Sequence, residues 1–77
     1  MAKCYICFAG YTLNDATKCR SIEYAKGEFM AVAQELDNYG QRIEASIHIA
    51  NSRSEIAEYP DYVLSLGPRG GLKVERT

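Results

Sequence analysis

The sequence predicts a small α+β two-layer sandwich, with one main helix packed on a mostly antiparallel sheet of four or five strands. The element order is ββαβββ or βαβββ, ending in a C-terminal hairpin. Three observations carry this. Phe29, Val32, Ala33 and Leu36 recur at helical spacing, with Glu28, Gln34, Glu35, Asp37 and Asn38 on the other side. From Ile43 the period drops to two, Ile43, Ala45, Ile47 and Ile49 alternating with Glu44, Ser46 and His48, as on a strand with one wet face. Lastly, the turn residues Gly67-Pro68-Arg69-Gly70-Gly71 separate two short strand-like runs.

Taken in order, Lys3 to Ala9 (KCYICFA) is rich in β-branched and aromatic residues and reads as the first strand, with Cys4, Ile6 and Phe8 on one face and Tyr5 and Cys7 on the other. Gly10 to Thr17 is a loop. Cys19 to Ala25 (CRSIEYA) alternates like a short strand through Ile22 and Tyr24, although Ile22, Ala25 and Phe29 would also extend the helix backwards. The strand is preferred because Gly27 costs about 1 kcal/mol inside a helix and is acceptable at its N-cap. Gly40 ends the helix, since only glycine enters the left-handed region without a Cβ clash. The helix should set Phe29, Ala33 and Leu36 against Ile6, Ile43, Ile47 and Leu64, so that Leu36→Ala costs roughly 2–5 kcal/mol. Ser52 and Glu55 have capping-box spacing and predict one or two helical turns through Ile56 and Ala57, closed by Pro60. Tyr62 to Leu66 and Leu72 to Arg76 form the terminal hairpin.

Seventy-seven residues make a single domain, residues 1–77, near the lower end of what folds unaided. A homodimer, or docking onto a larger protein, would add burial. Nine basic against ten acidic side chains make a near-neutral chain, which speaks against a nucleic-acid binder and against an acidic DNA mimic. No run approaches the ~20 apolar residues of a membrane span. MAKCYICFAGY is too short an apolar start for a signal peptide, and three cysteines fit free thiols in a reducing compartment, so a cytoplasmic location is expected.

Cys4 and Cys7 have half-zinc-site spacing, with Cys19 and His48 available to complete four ligands. Tyr5 and Ile6 between the first two favour extended strand, which throws the sulfurs to opposite faces; buried structural thiols are the preferred reading, and no metal or cofactor is expected. Only Cys7, on the outer face, is read as accessible enough to react. His48 is placed on the polar side of its strand as a surface histidine, and no nucleophile is placed beside it, so no catalytic residue is assigned. The glycine-rich turn would cradle a phosphate with Arg69 as counter-charge, but phosphate loops lead into helices and this one leads into a strand.

Six tyrosines with no tryptophan point to binding surfaces, because tyrosine is apolar in body and polar at its tip. Tyr5 on an open sheet face, Tyr59 and Tyr62 beside Pro60, and Arg69 with Lys73 on the hairpin are the candidate partner-binding residues. The leading expectation is a non-enzymatic protein that binds and modulates or inhibits a larger protein or complex. In size and composition, though by no motif, it is similar to the small accessory proteins of bacteriophages and mobile elements, anti-CRISPR and other anti-defence inhibitors among them. The alternatives are a nucleotide- or nucleic-acid-binding module using the sheet face and the Gly67–Gly71 turn, and a zinc module through Cys4, Cys7, Cys19 and His48.

Overall fold

The computed structural model describes residues 2–77. They form β1 (Lys3–Phe8), β2 (Thr17–Cys19), α1 (Ile22–Asp37), β3 (Ala45–Ala50), β4 (Tyr62–Leu66) and β5 (Leu72–Arg76), with single 3-10 turns at Leu13–Asp15 and Arg53–Glu55. The sheet runs β2-β1-β3-β4-β5 and every pairing is antiparallel. This is the predicted α+β sandwich in its ββαβββ order. β2 and β3 flank β1 and therefore point the same way, so α1 is the crossover that carries the chain from one to the other over one face of the sheet. Among the described residues no helix is long and apolar enough to cross a membrane.

The helix begins earlier than the spacing around Gly27 predicts. Residues 22–25 are its first turn and not a strand, and only Thr17–Cys19 pair with β1. Ser21 is the N-cap, its hydroxyl accepting a hydrogen bond from the Tyr24 N–H at 3.0 Å, so Gly27 lies inside the helix. Burial outweighs the glycine penalty: Ala25, one turn before Phe29, is fully buried, and Ile22 packs on the same core. At the other end Gly40 has φ +78°; its N–H bonds the Asp37 carbonyl and the Gln41 N–H bonds the Leu36 carbonyl, both at 3.0 Å. These two bonds close the orphaned carbonyls of the last turn in a Schellman arrangement.

Between helix and sheet Phe29, Ile47 and Leu64 are fully buried, with Ile6, Ala25, Ala33 and Ala45 filling the gaps between them. Phe8 stacks on Phe29 with ring centroids 6.2 Å apart. Leu36 is only half-buried and stands at the helix margin outside this cluster, so its truncation should cost less than the 2–5 kcal/mol expected of a core leucine. Phe29 is the residue on which the layer closes.

The long connection from β3 to β4 makes a single 3-10 turn, where the capping-box spacing predicted one or two helical turns. The Ser52 hydroxyl does not cap it, and shares a 3.0 Å hydrogen bond with the Ser54 hydroxyl instead. Asp61 then fastens the end of the connection to β3, its N–H to the Ile47 carbonyl at 2.8 Å and its carboxylate accepting from the Ile49 N–H at 2.7 Å.

Candidate functional site

On the sheet face away from α1, the β1–β3 register sets Tyr5 opposite His48 and Cys7 opposite Ser46. Alternation along β1 and β3 had marked this face as open. It is roofed over part of its extent, because the segments around the two 3-10 turns fold across it. Leu13, Ala16 and Ile56 join Tyr5, Cys7 and Ala50 in a second, smaller apolar cluster. Tyr5 is only 4% exposed and so does not stand free as a docking ring.

Arg53 holds the roof together. Its guanidinium lies 5.6 Å from the centre of the Tyr5 ring and donates to the Asn14 carbonyl at 3.1 Å and to the Ala16 carbonyl. One side chain thus ties the β3–β4 connection to the β1–β2 connection and covers a tyrosine face. The pattern of the sequence carried no sign of this role, since the carbonyls it meets are set by tertiary folding alone.

His48 is buried, at 2% exposure, and is not the surface histidine that the strand pattern predicts. The Ala57 carbonyl, 3.0 Å from Nδ1, can only accept, so Nδ1 carries the proton and donates. Nε2 lies 2.9 Å from the Ser46 hydroxyl, which is also 3.4 Å from the Cys7 carbonyl. Sequence placed no nucleophile for His48, yet the fold brings Ser46 into the contact that a serine makes with its base. With the ring buried and its far nitrogen held by a backbone carbonyl, the chain Ser46–His48–Ala57 works as a tie between β3 and the roof.

The three cysteines are free and buried. Cys7, read as the accessible one, lies beneath the loop with its sulfur 3.5 Å from the carbonyls of both Tyr11 and Thr12. Burial pushes the Cys7 thiol above its ordinary value, and the Asp15 carboxylate adds to the effect. Cys4 and Cys19 face each other across β1 and β2 on the helix side. Burial raises both, helped by Cys19 and Asp61 at Cys4 and by Glu28 at Cys19. The four residues of the zinc alternative are therefore split, Cys4 and Cys19 on one face and Cys7 and His48 on the other. Among the described residues no three metal-ligating side chains come together.

The Gly67–Gly71 turn is a hairpin turn with two of its four N–H donors engaged within the turn. The Gly67 N–H bonds the Gly71 carbonyl at 2.7 Å, and the Gly70 N–H bonds the Gly67 carbonyl at 3.0 Å. Gly70 takes φ +80°, which closes the turn after Pro68 and Arg69. Arg42 clamps the same turn, donating to the Gly67 carbonyl at 2.8 Å while pairing with Asp37 at 3.1 Å. Arg69 is exposed at the tip; Lys73 is exposed on the roofed side of β5 and pairs with Glu75 at 3.0 Å. Tyr62 is half-buried against the helix-side core, opposite Ile47, and Tyr59 projects from the connection at 82% exposure.

Where the roof ends, a groove of about 300 Å³ opens on the same face. Cys7, Ser46 and Val63 lie along it, Tyr11 stands on one side, and Glu58 and Pro60, the neighbours of Tyr59, on the other. Tyr11 is 68% exposed and was not singled out from the sequence, because nothing in GYTLNDAT separates a projecting tyrosine from a folded-back one. Of the predicted partner-binding residues, the fold places Tyr59 between two residues that line this groove, without Tyr59 itself lining it, and sets Lys73 on the same sheet face. It carries Arg69 off to the hairpin tip, turns Tyr62 to the other face, and buries Tyr5. No family model matches the chain, and no curated protein or solved structure is significantly similar to it.

Proposed function

We propose that the protein is a non-enzymatic interaction module that binds and modulates a larger protein through the groove between Tyr11 and the Glu58–Pro60 segment. The observation that carries this reading is the exposure of the Tyr11 ring on one side of a groove in the face that α1 leaves free, with Tyr59 exposed in the segment whose Glu58 and Pro60 form the other side. A tyrosine left in water is a ready anchor, since it buries a large area with few rotors to immobilise. Glu44 and Glu58 also line the groove, which suits a partner segment carrying a lysine or arginine between apolar side chains. Small size and balanced charge support the narrower role of an inhibitor of a larger machine, of the kind that phages and mobile elements encode.

The test is capture of the partner with Tyr11→Ala, Tyr59→Ala and the double variant, with Tyr39→Ala as an exposed control at the end of α1. Each groove variant should fold normally and lose more than ~1 kcal/mol of binding, and the control should lose under about 0.5 kcal/mol. Capture by the double variant as strong as by wild type would remove the groove from this function.

A further inference from the structure

We infer that the outer edge of β5 pairs with the same edge of a second copy of the chain, antiparallel and centred on Val74, so that two sheets become one. The backbone gives the first reason. At one end of the β4–β5 ladder the Gly67 N–H bonds Gly71, and at the other the Thr77 N–H bonds the Asp61 carbonyl at 3.2 Å. With Ser65 opposite Lys73 and Val63 opposite Glu75 between them, antiparallel alternation makes those two the hydrogen-bonded pairs. The N–H and C=O groups of Leu72, Val74 and Arg76 consequently point away from β4, and β5 is the last strand of the sheet. The opposite edge, β2, is only three residues long.

The side chains give the second reason, because the edge sequence is complementary to itself. In an antiparallel pair centred on Val74, each Lys73 meets Glu75 of the second copy and each Leu72 meets Arg76. The outward-pointing residues then make the hydrogen-bonded pairs. The Lys73–Glu75 pairs fall at the non-hydrogen-bonded positions, where the strands bring side chains closest. Both residues are exposed, with side-chain exposures of 61% and 60%, and the 3.0 Å pair they make with each other is solvated, so they can exchange it for the same pair with a second copy. Charges on an edge strand ordinarily repel an incoming strand; here the signs alternate so that the chain's own copy is the strand they accept.

Val74 is the third reason. It lies opposite Leu64 on the helix side of β5 and is left 39% exposed, a β-branched residue that its twin across the dyad would cover. The two-fold axis of such a pair stands perpendicular to the sheet, which sets both helices on one face and both grooves beside Tyr11 on the other. The assembly would be bivalent, yet the pairing does not depend on what the grooves bind.

Sedimentation equilibrium over a wide concentration range tests this with two charge reversals. Wild type should move from 8.6 kDa towards twice that mass as concentration rises. Lys73→Glu and Glu75→Lys each place like charges at both cross-strand positions and should raise the dissociation constant roughly tenfold or more. Mixed in equal amounts the two variants restore both opposite-charge pairs, so the mixture should associate as wild type does, as should the double reversal on one chain. Circular dichroism checks that each variant is folded. A wild type that stays at one chain mass at every concentration would overturn the proposal, and so would single reversals that associate as tightly as wild type.

Discussion

Arg53 and His48 show how much of the helix-free face rests on single side chains reaching across the fold. Arg53 meets carbonyls 37 and 39 residues away in the chain, and the His48 ring joins its own strand to Ala57. Neither contact leaves a trace in local periodicity: an arginine in a polar turn and a histidine at an outward strand position both read as solvated. Removing Arg53 tests the account. Arg53→Ala forfeits two charge-assisted hydrogen bonds at a partly solvated position and a ring contact, and should cost about 1–2 kcal/mol of stability in a urea titration. It should also loosen the roof over Cys7 selectively, so that a thiol reagent labels Cys7 faster while Cys4 and Cys19 keep their protection. Lysine carries the charge but not the planar fork, and Arg53→Lys should recover only part of the loss. Unchanged labelling of Cys7 would mean that Leu13, Ala16 and Ile56 hold the roof without the arginine.

At the scale of elements, β1, β3 and the hairpin were legible because their signals are local, whereas β2 is Thr17–Cys19 and overlaps the expected strand Cys19–Ala25 only at Cys19. β4 and β5 have the limits predicted from the turn residues, and β1 and β3 differ from the reading by a residue or two at their ends. The helix start was not legible, because a local penalty at Gly27 competes there with burial of Ile22 and Ala25 that only the folded sheet creates. This predicts a gain. Gly27 is exposed in mid-helix with ordinary φ, and a Cβ added there would meet nothing within 4 Å. Gly27→Ala should therefore stabilise the protein by about 0.5–1 kcal/mol, read as a raised melting temperature. At Gly40, where φ is +78°, the same substitution should cost roughly 1–2 kcal/mol although the space is equally open. A loss at Gly27 would return that residue to the helix boundary.

For the whole molecule, the question is whether two apolar layers on opposite faces of one sheet unfold together, and the thiols report on it. Cys4 and Cys19 belong to the larger layer and Cys7 to the smaller. All three are held above the ordinary thiol value of 9.0, burial being the largest cause in each. The sign of the linkage follows directly. Below about pH 9 the thiols are protonated in both states and cost nothing. As pH rises past that value the unfolded chain releases these protons while the folded chain keeps them, so the unfolded state gains and stability falls. Tyrosines and lysines titrate in the same region, and the comparison is therefore with the variant Cys4→Ala/Cys7→Ala/Cys19→Ala. Between about pH 8 and pH 10 the unfolding free energy of wild type should fall more steeply than that of the cysteine-free chain. If the layers form one cooperative unit, restoring any single cysteine returns part of the slope, and one melting transition is seen throughout. If the roof opens by itself, Cys7 ionises from the folded sheet, and restoring it alone leaves the slope of the main transition unchanged. Parallel slopes for wild type and the cysteine-free chain would show that the thiols are not buried in the folded protein, and would overturn the packing assigned to both layers.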